Sequence, residues 1–87
     1  MSQKTELIIW ISEMTPNFKK GTFGVETKAI EINSDDIILL FKEVQKFYKE
    51  TTKINTQFAR FGITKGGNTI FDGTLKNGKI MQCLKIE

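Results

Sequence analysis

The first third of the chain contains two segments whose apolar residues fall on the two faces of a β-strand, with its two-residue period. In TELIIWISE (5–13), Leu7, Ile9 and Ile11 share one face, and Ile8 and Trp10 share the other. Because both faces are apolar, we expect this strand to be internal in its sheet or to meet a second surface.

A second strand is predicted at TFGVETKAIEI (22–32), after the loop MTPNFKKG (14–21), so that the two strands form a hairpin with a long connection. Phe23 and Val25 have one parity, whereas Ile30 and Ile32 have the other. A bulge or bend is therefore expected within this strand.

The period changes to 3.6 residues in NSDDIILLFKEVQKFYKETTK (33–53), which predicts a helix. Asn33 or Ser34 is expected to cap it, with two acidic residues in its first turn. One side is an apolar stripe of Ile37, Leu40, Phe41, Val44, Phe47 and Tyr48. The opposite side carries Lys42, Lys46, Lys49 and Lys53.

Asn77-Gly78 predicts a two-residue type I′ turn between the last two strands, because both central positions need a positive φ. Counting outward from this turn, Leu75 opposes Ile80, Phe71 opposes Leu84, and Thr69 opposes Ile86. The core face of this hairpin would then consist of Phe71, Leu75, Ile80, Leu84 and Ile86. Met81, Cys83 and Lys85 would lie on the other face.

The preceding strand, QFARFGI (57–63), places Ala59, Phe61 and Ile63 on one face. A three-residue loop, Gly66-Gly67-Asn68, pairs Ile63 with Phe71 and brings this set to the same core, whereas a two-residue loop would not. The sequence thus predicts an α+β fold of order ββαβββ, with one helix on a largely antiparallel sheet.

Composition and charge limit the range of functions. The length of 87 residues predicts a single domain, 1–87, and no apolar run is long enough to span a membrane. The net charge of +3 is uneven, with four lysines against six acids up to Ile38 and nine basic residues against four acids from Leu39 onward. Such a basic half can attract an acidic partner.

Catalytic and metal-binding patterns are missing from the sequence. There is no histidine, and Cys83 is the one cysteine, so no intramolecular disulfide can form. Asp35-Asp36 is typical of a helix start and not of a carboxylate dyad. We therefore expect a cytoplasmic protein that is not an enzyme, with no cofactor, no metal and no small-molecule substrate.

The face of the sheet away from the helix is the best candidate site. It is expected to carry Ile8, Trp10, Phe58, Arg60, Met81 and Lys85, a mostly apolar set that suits contact with another protein, including a second copy of this chain. Two alternatives stay open. Single-stranded nucleic acid could bind this basic and aromatic face through Arg60 and Lys85, or the stripe Lys42, Lys46, Lys49 and Lys53. The loop 14–21 could instead cover the face through Phe18.

The C-terminal fifty residues contain the predicted helix, then Phe61-Gly62-Ile63, Gly66-Gly67 and the final Leu84-Lys85-Ile86. In this layout they resemble the trypsin-co-occurring domain of bacterial effector-associated systems. This chain differs from the family at its end: an aromatic residue usually follows the last aliphatic strand there, and none does here. The resemblance implies an accessory module that docks to protein partners and has no catalytic residues. Together these observations predict an adaptor, inhibitor or regulator that acts by protein–protein contact.

Overall fold

The computed structural model of the protein describes residues 5–14, 24–33, 35–51 and 57–86. One helix packs on a five-stranded antiparallel sheet, and the order along the chain is ββαβββ, so the predicted α+β architecture is confirmed. The elements are β1 (Thr5–Glu13), β2 (Val25–Ile32), α1 (Ile37–Glu50), β3 (Phe58–Lys65), β4 (Asn68–Lys76) and β5 (Lys79–Lys85).

The strands lie in the order β2-β1-β3-β4-β5, so the strand that opens the chain is internal. Because β2 and β3 both pair antiparallel with β1, they run parallel to each other, and α1 carries the chain across one face of the sheet between them. That face buries the core: Leu7, Ile9, Ile11, Leu40, Val44, Phe47, Ala59, Phe61, Ile63, Phe71 and Leu75. Among the described residues, no helix has both the length and the apolarity needed to cross a membrane.

The helix is shorter than the sequence indicates, and its cap lies further along the chain. Asp36, and not Asn33 or Ser34, is the N-cap, because its Oδ1 accepts a hydrogen bond of 3.0 Å from the backbone N–H of Leu39. Asn33 Oδ1 instead accepts from the N–H of Asp35 and shapes the turn before the helix. No acidic residue lies in the first turn.

The predicted bulge within the second strand is wrong for the part that is described. Val25–Ile32 pairs with β1 one residue to one residue, without a shift. Val25 is exposed on the face away from α1, whereas Ile30 and Ile32 pack against the core. The apolar residues of this strand change from odd to even positions because both of its faces carry apolar side chains, and not because of a bulge. Phe23 lies outside the described residues.

The hairpin of β3 and β4 has the predicted pairing but a different turn. Ile63 opposes Phe71 and Ala59 opposes Leu75, as expected. The loop has two residues, Gly66 and Gly67, both with positive φ, so the predicted three-residue loop is wrong. A bulge at Ile70 supplies the one-residue shift that the longer loop would have given.

The hairpin of β4 and β5 departs from the register that the turn predicts. Leu75 opposes Ile80, as expected, but Thr74 opposes Gln82, so Met81 is an extra residue in β5. Beyond this bulge every pairing is shifted by one residue. Phe71 therefore opposes Lys85 and not Leu84, because a bulge exchanges the two faces of a strand.

Candidate functional site

One face of the sheet is covered by α1, and we call it the helix face or helix side. No described element covers the opposite face, which we call the open face. Strand register and side-chain alternation define its members. They are Glu6, Ile8, Trp10, Ser12, Val25, Thr27, Ala29, Glu31, Phe58, Arg60, Gly62, Thr64, Thr69, Asp72, Thr74, Lys76, Lys79, Gln82 and Leu84.

Trp10 and Gly62 form the middle of the open face. They oppose each other on β1 and β3, and the indole ring of Trp10 fills the space above Gly62 so closely that a Cβ there would overlap it. Gly62 is thereby buried although it lies on the face away from the core. The chain has one tryptophan, and it is half-buried at this central position.

Apolar side chains lie around this centre with much of their surface in water. Ile8 is 41% exposed and Leu84 is 57% exposed, and Val25 and Phe58 are exposed as well. Burying such groups is favourable by about 25 cal/mol per Å². The open face therefore contains surface whose removal from water would stabilise a complex.

Polar groups are interspersed among these apolar side chains. The guanidinium of Arg60 lies 3.4 Å from the carboxylate of Asp72 across the β3–β4 pair. Thr74 lies beside them, and its Oγ1 is buried without a hydrogen-bond partner in the part of the chain that is described. The open face is thus more polar than the sequence indicates.

Two like-charge pairs occupy opposite corners of the open face. Glu6 opposes Glu31 on β1 and β2, which we call the acidic corner, and Lys76 opposes Lys79 on β4 and β5, which we call the lysine corner. All four side chains are exposed. Like charges directly across a ladder are destabilising. At the lysine corner a cation–π contact opposes this repulsion, because the Nζ of Lys76 lies 5.7 Å from the ring centre of Phe58.

The structure brings four of the six predicted contact residues together on the open face, namely Ile8, Trp10, Phe58 and Arg60. Met81 is exposed at the bulge. Lys85 lies on the helix face, where it borders a cavity of about 430 Å³ together with Asp35, Ile37, Lys65, Ile70, Phe71 and Ile86. Its predicted place on the same face as Arg60 is wrong, because the bulge at Met81 reverses the parity of the strand end.

The sequence does not indicate Leu84 as a contact residue, although it opposes Asp72 on the open face. Gly73 is the sequence feature that could have indicated the shifted register, because an isolated glycine inside a strand pattern often marks a bulge or a close backbone approach. A Cβ at Gly73 would overlap the carbonyl oxygen of Gln82 and approach the ring of Phe61.

The residues proposed for nucleic-acid binding lie on two sides of the molecule. Lys42, Lys46 and Lys49 are exposed on α1, which packs against the helix face, while Arg60 lies on the open face. Lys53 lies outside the described residues. So does Phe18, through which the loop 14–21 was expected, as one alternative, to cover this face. The lysine stripe and Arg60 therefore do not form one surface.

Cys83 follows the corrected register and packs against the core on the helix side. Burial raises the pKa of its thiol, and the negative charge of Asp72 raises that pKa further. A raised pKa leaves less thiolate and makes the thiol a poorer nucleophile near neutral pH. Among the described residues, no group of three or more histidine, cysteine, aspartate or glutamate side chains is placed to hold a metal ion.

Comparison with protein-family models, curated proteins and solved structures finds no match for this chain. The resemblance to the trypsin-co-occurring domain therefore stays a prediction.

Proposed function

We propose that this chain is a non-enzymatic binding module, an adaptor, inhibitor or regulator, whose open face docks another protein. The observation that carries the proposal is the position of Trp10. An aromatic side chain lies at the centre of a sheet face that no described element covers, with exposed apolar neighbours around it. Tryptophan is among the residues that most often dominate binding energy at the centre of protein interfaces.

The composition of the open face supports a protein partner. Protein interfaces combine aromatic and aliphatic anchors with charged groups at the rim, and here Ile8 and Trp10 are central, while the acidic and lysine corners lie at the edges. A single-stranded nucleic acid would need a basic path along the face, whereas Glu6 and Glu31 place negative charge on it. We also propose a cytoplasmic location, because a single cysteine fits a reducing compartment.

The test compares two isoleucine substitutions of matched chemistry. Ile8 is 41% exposed on the open face, and Ile38 is 71% exposed on α1, so glutamate at either position can remain in water. Ile8→Glu should abolish capture of protein partners from a nuclease-treated lysate, while Ile38→Glu should leave that capture intact. Circular dichroism would establish that both variants are folded.

Fluorescence of the one tryptophan gives a second measurement. A docked protein should shield Trp10, shift its emission to the blue and reduce quenching by acrylamide. Equal capture by both variants would reject the open face as the docking surface. Binding that disappears after nuclease treatment alone would reject the proposal in favour of nucleic-acid binding.

A further inference from the structure

The partner of the open face can be inferred from the arrangement of its charges. Within the described part of the chain, neither the acidic corner nor the lysine corner forms an ion pair, so each is a like-charge pair facing solvent. A partner that stabilises both corners must present positive charge at one place and negative charge at another. The open face itself is such a surface.

The two corners are placed symmetrically about Gly62. From the acidic corner, Glu6 lies four residues from Trp10 on β1, and Trp10 opposes Gly62 on β3. On the other side, Gly62 opposes Asp72 on β4, and Lys76 lies four residues further along that strand. Because the steps along β1 and β4 lead towards opposite ends of the sheet, Gly62 lies midway between the corners.

We propose that the partner is a second copy of this chain, docked open face to open face about a two-fold axis. The axis lies between the two sheets, passes over Gly62 and runs perpendicular to the line that joins the corners. Rotation about it brings the acidic corner of each copy over the lysine corner of the other. Such an interface is isologous, with the same patch used twice.

The centre of this interface suits close packing. The axis passes beside Trp10, so the two indole rings lie near each other, surrounded by the exposed apolar side chains of both copies, including Ile8 and Leu84. Two facing sheets pack about 10 Å apart, with their inner side chains interdigitated. The Arg60–Asp72 ion pair keeps the buried charges of each copy matched.

The area of the open face reaches the lower end of the range for a specific dimer. Strands of eight residues at about 3.4 Å per residue, in five rows about 4.8 Å apart, cover about 650 Å². With full overlap two copies would bury about 1,300 Å², which reaches the lower end of the range of about 1,200–2,000 Å² for specific interfaces. This inference rests on the proposed function, because it names the protein that the open face binds.

Charge exchange between the corners provides the test. In one variant both acidic-corner residues are reversed, Glu6→Lys and Glu31→Lys; in the other, Lys76→Glu and Lys79→Glu. Each variant alone places like charges over each other at both contacts, so sedimentation equilibrium at low salt should show dimerisation weakened about tenfold or more relative to the unaltered chain. An equimolar mixture of the two should recover dimer with near-normal affinity, because both contacts are then between opposite charges.

The matched control reverses two exposed lysines on the helix side, Lys42→Glu and Lys46→Glu, which change the net charge as much as the lysine-corner variant does. This control should dimerise like the unaltered chain. A chain that remains monomeric up to about 0.5 mM, or a dimer that is indifferent to both corner variants, would overturn the proposal. If a monomeric chain still loses another protein partner on Ile8→Glu, the inference falls while the proposed function stands.

Discussion

The indole ring of Trp10 occupies the space in which a side chain at Gly62 would lie. The two residues oppose each other on β1 and β3, and a Cβ at position 62 would overlap three atoms of the ring. Glycine leaves a gap in a strand, and an aromatic side chain on the neighbouring strand fills it. The placement of Trp10 on the open face is thus coupled to the absence of a side chain on β3.

Gly62→Ala should therefore destabilise the fold and displace Trp10. The new methyl group and the indole ring cannot share one space, and overpacking of this kind costs about 1–3 kcal/mol. The free energy of unfolding, measured in urea, should fall by that amount. The emission of Trp10 should shift to the red as the ring moves into water.

A double-mutant cycle isolates the contact between the two residues. In a Trp10→Ala background the obstacle is gone, and Gly62→Ala should be neutral or stabilising, because glycine within a strand is unfavourable by about 0.5–1 kcal/mol relative to alanine. An equal loss of stability in both backgrounds would mean that something other than the indole excludes the methyl group.

Gly73→Ala should lower the free energy of unfolding more than Gly62→Ala does. A second substitution that makes room for the new methyl group should not restore the lost stability. A Cβ at Gly73 would overlap the backbone carbonyl oxygen of Gln82 as well as approach the ring of Phe61. Backbone beside a bulge cannot move aside without breaking the β4–β5 ladder, so we expect a loss of about 3 kcal/mol, the upper end for overpacking. Urea denaturation should show this loss even in a Phe61→Leu background, and full rescue by Phe61→Leu would be inconsistent with the backbone as the obstacle.

Asp36→Ala should remove the N-cap of α1. Asp36 Oδ1 accepts the N–H of Leu39 at 3.0 Å, and loss of such a cap typically costs about 1 kcal/mol. Asp36→Asn keeps an acceptor oxygen and should recover most of that stability. Asp35→Ala is the matched control and should change the unfolding midpoint little, so an equal effect of the two alanine variants would reassign the cap.

The sequence was sufficient for features that depend on local chemistry. Alternation in β1 correctly placed Leu7, Ile9 and Ile11 in the core and Ile8 and Trp10 away from it. The apolar stripe correctly identified the side of α1 that is buried. These properties follow from one element and its period, so no knowledge of neighbouring strands was needed.

Bulges were the features that the sequence did not reveal. At Ile70 a bulge and a two-residue turn together gave the pairing that a longer loop had been expected to give, so an incorrect turn led to a correct core. At Met81 the bulge had the opposite effect and reversed the faces of Cys83, Leu84 and Lys85. A bulge responds to contacts across strands, such as the close approach at Gly73. The glycine is visible in the sequence, but the pattern of a single strand does not show which residue of the neighbouring strand it approaches.

The start of α1 illustrates a competition among neighbouring polar residues. Asn33, Ser34, Asp35 and Asp36 are all suited to capping. The structure selects Asp36 because Asn33 already accepts the N–H of Asp35 in the preceding turn. Propensity does not distinguish these positions, since asparagine, serine and aspartate all have a short side chain whose oxygen can accept a backbone N–H.

Gln45→Met should loosen β5 where it meets the helix. Gln45 Oε1 accepts the backbone N–H of Ile80 at 3.1 Å, next to the bulge at Met81. Losing one such bond costs about 1 kcal/mol, so hydrogen exchange at the Ile80 amide should be about five- to tenfold faster. Gln82→Met alters an exposed glutamine on the same strand and should leave this amide unchanged. Unaltered exchange in Gln45→Met would show that the side chain does not hold the strand.

The titration of Cys83 tests the register of the last strand. Burial, and to a lesser extent the charge of Asp72, raise the pKa of the thiol, so iodoacetamide should react with the native protein only at a higher pH than with the chain unfolded in urea. Asp72→Asn should lower this pKa partway, because burial remains.

The same shift makes stability depend on pH in one direction. The unfolded thiol ionises first, so the unfolded state binds fewer protons as the solution becomes alkaline. The contribution of Cys83 should be complete below the ordinary thiol pKa and decline as pH rises through the native value, and Cys83→Ala should remove this decline. A native thiol that titrates like an unfolded one would instead place Cys83 in water, as a register without the bulge at Met81 requires, and would move Leu84 back to the helix side.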